Sequence, residues 1–125
     1  MIWTLFQVAL GGAIGALGRH MTNLGVARLL GVGFPYGTAL INVLGSFAMG
    51  VLFVMLVERG ISRQVPFLMT GVLGGFTTFS AFSLDTLALV EKGQPTAAMV
   101  YVVASVGLSL GAIAAGLALG RGIGA

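Results

Sequence analysis

Charged side chains are scarce in this chain, and cysteine is absent. Six basic and three acidic residues make up only 7% of the 125 residues. Charged groups normally cover the surface of a soluble domain, so this composition predicts an integral membrane protein. The lack of cysteine excludes disulfides and thiolate metal sites. The lone histidine, His20, has no catalytic partner in the sequence, so an enzyme is not predicted.

Four long apolar runs fill most of the chain, with only short connections between them. About 20 helical residues cross the hydrocarbon core of a bilayer, and a backbone in lipid must satisfy its own hydrogen bonds. The runs do not alternate between apolar and polar residues, so they do not predict barrel strands. We predict an all-α membrane protein, surrounded by lipid, with one domain and no cleavable signal peptide. Its four transmembrane helices are expected at about residues 2–30, 37–57, 65–90 and 96–120.

The six basic residues are spread over the predicted helix ends. They form no patch that could follow a phosphate backbone, so a nucleic-acid partner is not predicted. A shorter first helix, ending where its most apolar part stops at Gly18, is the alternative, and it would place Arg19 and His20 at a helix end. The side with both termini carries three basic residues, and the other side carries two or three, depending on Arg19. So small a bias predicts insertion in both orientations and antiparallel pairing; the alternative is a fixed orientation set by other features.

Glycine is abundant, and many of the 21 glycines lie inside the predicted helices. Small residues four apart let helix backbones approach closely, so they predict a tightly packed bundle. Four packed helices enclose too little volume for a solvated pore, and transport would therefore require a dimer. The GxxxG pairs are Gly11 and Gly15, Gly71 and Gly75, Gly107 and Gly111, and Gly116 and Gly120.

Two predicted helices carry a stripe of neutral polar residues through their apolar length. Residues four apart lie on one helix face, so each stripe faces one direction. Hydroxyl and amide groups donate hydrogen bonds, and with no acid among them they suit an anion better than a cation. The alternative is that these groups only bond neighbouring helices. The stripes are Thr38, Asn42 and Ser46 in the second helix and Tyr101, Ser105 and Ser109 in the fourth.

The third predicted helix has an unfavourable sequence at its centre. Gly74 and Gly75 are followed by two β-branched threonines at 77 and 78, and both residue types have low helix propensity. A break here would free backbone groups in the membrane, which is tolerated where an ion or a cavity satisfies them. The alternative is a continuous helix in which the glycines serve packing. Phe79 and Phe82 follow on one face; their positive ring edges could meet an anion, although their spacing alone also fits lipid or core contact.

Three runs of the sequence form motifs: residues 74–83, GGFTTFSAFS; residues 11–19, GGAIGALGR; and residues 37–46, GTALINVLGS. Together they resemble the Fluc family, also called CrcB, which comprises small bacterial fluoride channels, and the resemblance extends over essentially the whole chain. It implies a fluoride-selective channel of the bacterial inner membrane that exports cytoplasmic fluoride passively and confers fluoride resistance. It also implies an antiparallel homodimer of dual topology, with two fluoride pathways and a third helix broken near its middle.

The resemblance implies roles for particular residues as well. The ring edges of Phe79 and Phe82 would line the fluoride pathway, and the backbone carbonyls of Gly74 and Thr77 would hold a structural sodium ion at the dimer interface. Arg19 would attract anions to an aqueous vestibule. The other implied pathway residues are Asn42, Ser80, Tyr101, Ser105, Ser109 and Thr38.

Two positions depart from the pattern of the family. Ala81 stands where a threonine is expected, so one pathway hydroxyl is missing, and Asp85 stands where a glutamate is usual. Both departures bear on the rate of conduction rather than on the assignment.

Two other functions compete with a fluoride channel. A dual-topology small multidrug or cation exporter would need an acid in its first helix, and the first predicted helix here contains none. In a non-transporting assembly subunit, the polar stripes would serve helix contacts alone. A flux measurement on the purified protein in liposomes separates the three.

Overall fold

The computed structural model describes residues 1–123, and it confirms four helices long and apolar enough to cross a membrane. They extend over Ile2–Leu30, Tyr36–Glu58, Ser62–Glu91 and Pro95–Ile123, and they are called spans 1 to 4 below. Short turns join them, and each turn contains a glycine with a positive φ angle. The values are 79° at Gly31, 76° at Gly60 and 78° at Gly93. This left-handed conformation ends a helix at little cost only when the residue lacks a Cβ atom.

Span 1 is one continuous α-helix. The alternative of a shorter first helix, with Arg19 and His20 at its end, is therefore wrong, because the helix continues through both to Leu30. The polar residues that follow do not interrupt it. The hydroxyl of Thr22, for example, donates to the backbone oxygen of Gly18 at 2.8 Å, which satisfies the side chain within its own helix.

Span 3 is assembled from segments of different backbone geometry. A 3-10 turn, Ser62–Gln64, is followed by a π-helix, Val65–Leu73, and by a single α-helical turn, Gly74–Phe76. Thr77 and Thr78 then have extended dihedral angles, with φ and ψ of −80° and 157° at Thr77 and of −151° and 124° at Thr78. An α-helix, Phe79–Glu91, completes the span.

Glycines set how closely the spans pack. Span 1 packs mainly along the first half of span 3, and span 2 packs mainly along span 4. A Cβ atom on Gly71 would lie 2.9 Å from the Cα of Gly11, and one on Gly50 would lie 2.5 Å from a backbone oxygen of span 4. Both crossings therefore depend on the missing side chain. Gly107 and Gly111 differ, because a Cβ atom on either would meet nothing within 4 Å in the described chain.

Polar contacts join the ends of spans 2 and 4 on the side of the termini. Arg121 forms an ion pair with Glu58 at 2.9 Å, and Nη2 of Arg59 donates to the backbone oxygen of Gly120 at 2.6 Å. The ion pair is exposed, so its contribution to stability is small. Together these contacts fix the register of spans 2 and 4, whose facing surfaces contain the candidate site.

Candidate functional site

The side chain of Asn42 in span 2 holds the extended residues of span 3 by two hydrogen bonds. Its Nδ2 donates to the backbone oxygen of Thr78 at 2.9 Å, and the Thr78 N–H donates to its Oδ1, also at 2.9 Å. Gly45 leaves room for Thr77, because a Cβ atom on Gly45 would overlap the methyl carbon of that threonine. Span 2 thus presents an amide and a small residue where the backbone of span 3 is extended.

Thr78 also begins the last helix of span 3, since its Oγ1 accepts a hydrogen bond from the N–H of Ala81 at 3.1 Å. This is the usual role of a threonine at a helix N-cap. In a continuous α-helix, the N–H groups of Thr78 and Ala81 would donate to the carbonyls of Gly74 and Thr77. Here they donate to the side chains of Asn42 and Thr78 instead. The carbonyls of Gly74 and Thr77 therefore lose the donors that a regular helix would supply.

A cavity of about 380 Å³, called the main cavity below, lies between spans 2, 3 and 4. It brings together most of the pathway residues expected from the sequence. The rings of Phe79 and Phe82 lie side by side in its wall with their centroids 5.7 Å apart, and Phe79 is 78% exposed. The lining comprises Asn42, Gly45, Ser46, Met49, Thr77, Thr78, Phe79, Phe82, Ser105, Val106, Ser109, Leu110 and Ile113.

Ser105 contributes a buried hydroxyl to this wall. The residue is only 5% exposed, and its Oγ has no hydrogen-bond partner among the described residues. A buried polar group without a partner costs about 1–3 kcal/mol, so such groups are uncommon unless they serve a ligand. The Ser105 hydroxyl is therefore free to donate to a small anion in the main cavity.

The structure separates Tyr101 and Thr38 from the main cavity, although both were expected in one line with Ser105 and Asn42. Tyr101 is fully buried, and its hydroxyl donates to Oδ2 of Asp85 at 3.1 Å. Its ring packs against Phe82, with a centroid separation of 5.2 Å. Thr38 is buried as well. Tyr101 and Asp85 form a second polar group, which contacts Phe82 through the tyrosine ring.

Ser80 and Arg19 are the other two expected pathway residues that are not in the lining of the main cavity. Ser80 is exposed, and its Oγ is 3.3 Å from Oγ1 of Thr78. Arg19 is partly exposed in the middle of span 1, and the lining of the main cavity, drawn from residues 1–123, does not include it. The roles that the sequence implied for Ser80 and Arg19 stay predictions.

Sequence reasoning missed three contacts: the pairing of Asn42 with Thr78, the capping of Ala81 by Thr78, and the bond between Tyr101 and Asp85. The capping contact had a local signal, because a threonine directly before an apolar helical run is a common N-cap. The other two contacts join residues far apart in sequence. The position of an asparagine or a tyrosine along the chain does not predict which distant residue its side chain will bind.

Four apolar helices, three of which enclose a cavity with neutral polar and aromatic walls, define a multi-pass membrane protein with an uncharged polar site. The chain belongs to the CrcB family: the family model described as "CrcB-like protein, Camphor Resistance (CrcB)" matches residues 6–117. This chain is 60% identical over 122 residues to the "Fluoride-specific ion channel FluC" of Cereibacter sphaeroides, with 98% of each chain covered. Proteins of the same name from Paracoccus denitrificans and from a Ruegeria species are 52% and 49% identical, with 96% and 98% of each chain covered.

Proposed function

We propose that this chain forms a fluoride-selective channel that lets cytoplasmic fluoride leave the cell passively through the bacterial inner membrane and so confers resistance to fluoride. The observation that carries the proposal is the composition of the main cavity. Its lining, taken from residues 1–123, combines hydrogen-bond donors and aromatic rings with no ionisable side chain. The relatives named as fluoride-specific channels point to the same ion.

The mechanism that these groups support is stepwise replacement of water around the anion. Fluoride is small and strongly hydrated, so each lost water must be replaced by a donor. The Ser105 hydroxyl is buried and unpartnered, and the positive ring edges of Phe79 and Phe82 flank the same space. Several weak contacts in sequence let an ion enter without being trapped. Chloride is larger, so the same donors and ring edges surround it less closely.

The competing exporter function has no support in these observations. Span 1 contains no acid, and the carboxylate of Asp85 already accepts a hydrogen bond from the hydroxyl of Tyr101. An exporter of cations would need a carboxylate that is open to its substrate. The curated relatives are named as channels, which also argues against an enzyme.

The extended pair Thr77 and Thr78 is proposed to act as a functional break in span 3. The carbonyls of Gly74 and Thr77 have lost their helical N–H donors, and a carbonyl in a membrane needs a partner. Hard oxygen ligands of this kind fit a sodium ion. Two carbonyls from each of two chains would supply four ligands, and the bound cation would stabilise the break and the contact between the chains.

We further infer an antiparallel homodimer in which the chains insert in both orientations. In a single chain, Gly74 and Ser80 are exposed and Phe79 is 78% exposed, all beside the break and the main cavity. A second copy placed over this face would close the cavity on its open side. The nearly balanced basic residues on the two sides support the mixed orientation.

The direct test is fluoride efflux from liposomes that contain the purified protein, followed with a fluoride electrode and with chloride as the control anion. We expect rapid fluoride efflux and little chloride efflux. Absence of fluoride efflux, or equal passage of both halides, would contradict the channel. Topology is tested in spheroplasts, because reconstitution into liposomes itself mixes orientations: a tag after the C-terminus should be only partly accessible to added protease, and complete protection or complete cleavage would contradict dual topology.

Replacing Ser105 by alanine should separate function from stability. Because the hydroxyl is buried without a protein partner, its removal should leave thermal stability unchanged or raise it, by up to about 1 kcal/mol. Fluoride efflux should fall about threefold, since one hydrogen bond of the pathway is lost. Ser83→Ala is the control, because Ser83 is exposed and its hydroxyl donates to the backbone oxygen of Phe79. Equal efflux from both variants would place Ser105 outside the pathway.

A further inference from the structure

A second, smaller cavity lies on the side of the membrane opposite the termini. It has a volume of about 70 Å³ and is called the loop cavity below. Gly33 and Pro35 of the turn after span 1 form one wall, and the last turn of span 3 forms the other. Its ionisable lining residues are Asp85 and Lys92. At roughly 30 Å³ for one water in the liquid, this volume holds about two water-sized groups, so the loop cavity has room for a fluoride ion that keeps about one water.

Polar and aromatic contacts connect the loop cavity to the main cavity. Asp85 lines the loop cavity, and its Oδ2 accepts the hydrogen bond from the hydroxyl of Tyr101. The ring of Tyr101 lies against Phe82, which lines the main cavity. Leu89 packs against Tyr101 and also lines the loop cavity. One buried side chain, Tyr101, therefore separates Asp85 in the loop cavity from Phe82 in the wall of the main cavity.

A carboxylate at this point is unfavourable for an anion unless a cation lies close by. Lys92 supplies that cation in the same small cavity, and the residue is exposed at the outer end of span 3. Its ammonium group attracts anions from solution, and electrostatic attraction of this kind raises the rate of entry.

We propose that the loop cavity is the mouth of the fluoride pathway at the end of the bundle opposite the termini, and that Lys92 is the group that draws the anion into it. This inference rests on the proposed channel function and adds an entry site to it. Lys92 is not one of the residues that line the main cavity. Its role is to set the local fluoride concentration beside Asp85 and the Tyr101 hydroxyl.

A structural role for Lys92 makes a different prediction. Lys92 caps the C-terminal end of a helix, where any cation is favoured by the helix dipole. Arg28 occupies the same kind of position, in the last turn of span 1 and on the same side of the membrane, but it does not line the loop cavity. Removing the charge of Arg28 therefore changes helix-end electrostatics and the balance of basic residues as much as removing that of Lys92.

The test compares fluoride efflux from liposomes containing the parent, Lys92→Met, Lys92→Arg and Arg28→Met. Efflux is measured at about 10 mM and at about 0.5 M ionic strength, set with an impermeant salt, because the screening length shrinks from about 30 Å to a few ångström over this range. At low ionic strength Lys92→Met should be about three- to fivefold slower than the parent, whereas Lys92→Arg and Arg28→Met should match the parent. At high ionic strength the difference should fall below about twofold.

Each other outcome overturns the inference. Equal slowing by Arg28→Met would indicate general surface charge, and slowing that is independent of salt would indicate a structural role for Lys92. Parental rates for Lys92→Met at low salt would place the mouth elsewhere. Should Lys92→Met elute as an aggregate in gel filtration, Lys92→Gln takes its place. Failure of the proposed channel function looks different, because the parent itself would then show no fluoride efflux.

Discussion

Replacing Phe79 or Phe82 by isoleucine is expected to slow fluoride efflux by up to about tenfold, and the double replacement is expected to slow it by up to about a hundredfold. Isoleucine keeps an apolar side chain in the wall of the main cavity but removes the positive ring edge. Favourable aromatic edge contacts are worth about 0.5–1.5 kcal/mol, and two rings act on the same space, with centroids only 5.7 Å apart. The measurement is initial fluoride efflux from liposomes at matched protein density.

Folding should survive these replacements. Phe79 is 78% exposed in the chain, so isoleucine removes little buried surface there. Phe6→Ile is a matched control, because Phe6 is an exposed aromatic in span 1 that stacks on Trp3 with centroids 5.6 Å apart and lies outside both cavities. Parental efflux from the double variant would show that the ring edges have no role. Equal slowing by the Phe6 control would point to an indirect effect of aromatic content.

The four spans could be predicted from the sequence because hydropathy over about 20 residues has a direct physical cause, the thickness of the bilayer. The ends of all four spans lie close to the expected positions, 2–30, 37–57, 65–90 and 96–120. Span 1 still shows a limit of hydropathy as a guide to helix ends. Arg19 and His20 look like an end in a hydropathy profile, yet nothing in the backbone stops the helix there, and it continues to Leu30.

Residue spacing predicted the face of a side chain but not its neighbours. Tyr101 and Ser105 lie four apart on one face of span 4, and the structure still places one beside Asp85 and the other in the main cavity. The glycine pairs divide in the same way. Gly71 meets Gly11 at a close crossing. A Cβ atom on Gly107 or on Gly111, by contrast, would meet nothing within 4 Å in the described chain. The burial and the neighbours of a side chain depend on how the spans assemble. The spacing of residues along one helix gives no information on that assembly.

The centre of span 3 could be singled out from the sequence because glycine and threonine are poor helix formers. What holds the extended backbone there could not, since it is the side chain of Asn42, 36 residues earlier than Thr78. An asparagine in a polar stripe predicts a hydrogen-bonding group in the membrane interior. Only the folded structure shows that the amide of Asn42 binds the main chain of span 3 and does not merely face a pathway.

Replacing Asn42 by aspartate is therefore expected to damage the pathway in two ways. The carboxylate still accepts from the Thr78 N–H, but it loses the donor to the Thr78 oxygen and leaves two oxygen atoms facing each other. It also places a negative charge in the wall of the main cavity. Two unit charges 4 Å apart interact by about 4 kcal/mol at an effective dielectric constant of about 20, and water in the cavity screens part of this, so efflux should slow by at least about tenfold.

Asn23→Asp provides the comparison, because Asn23 is an amide in span 1 that lies against Gly37 and outside the main cavity. It adds the same charge to the protein without placing it beside the pathway, and parental efflux is expected. Asn42→Ala separates the two effects: it removes both bonds to Thr78 without adding charge, so it should lower thermal stability by about 1–3 kcal/mol. If Asn42→Asp conducted fluoride at the parental rate, Asn42 would hold the backbone of span 3 without facing the ion, and the pathway would have to run along the serines of span 4 alone.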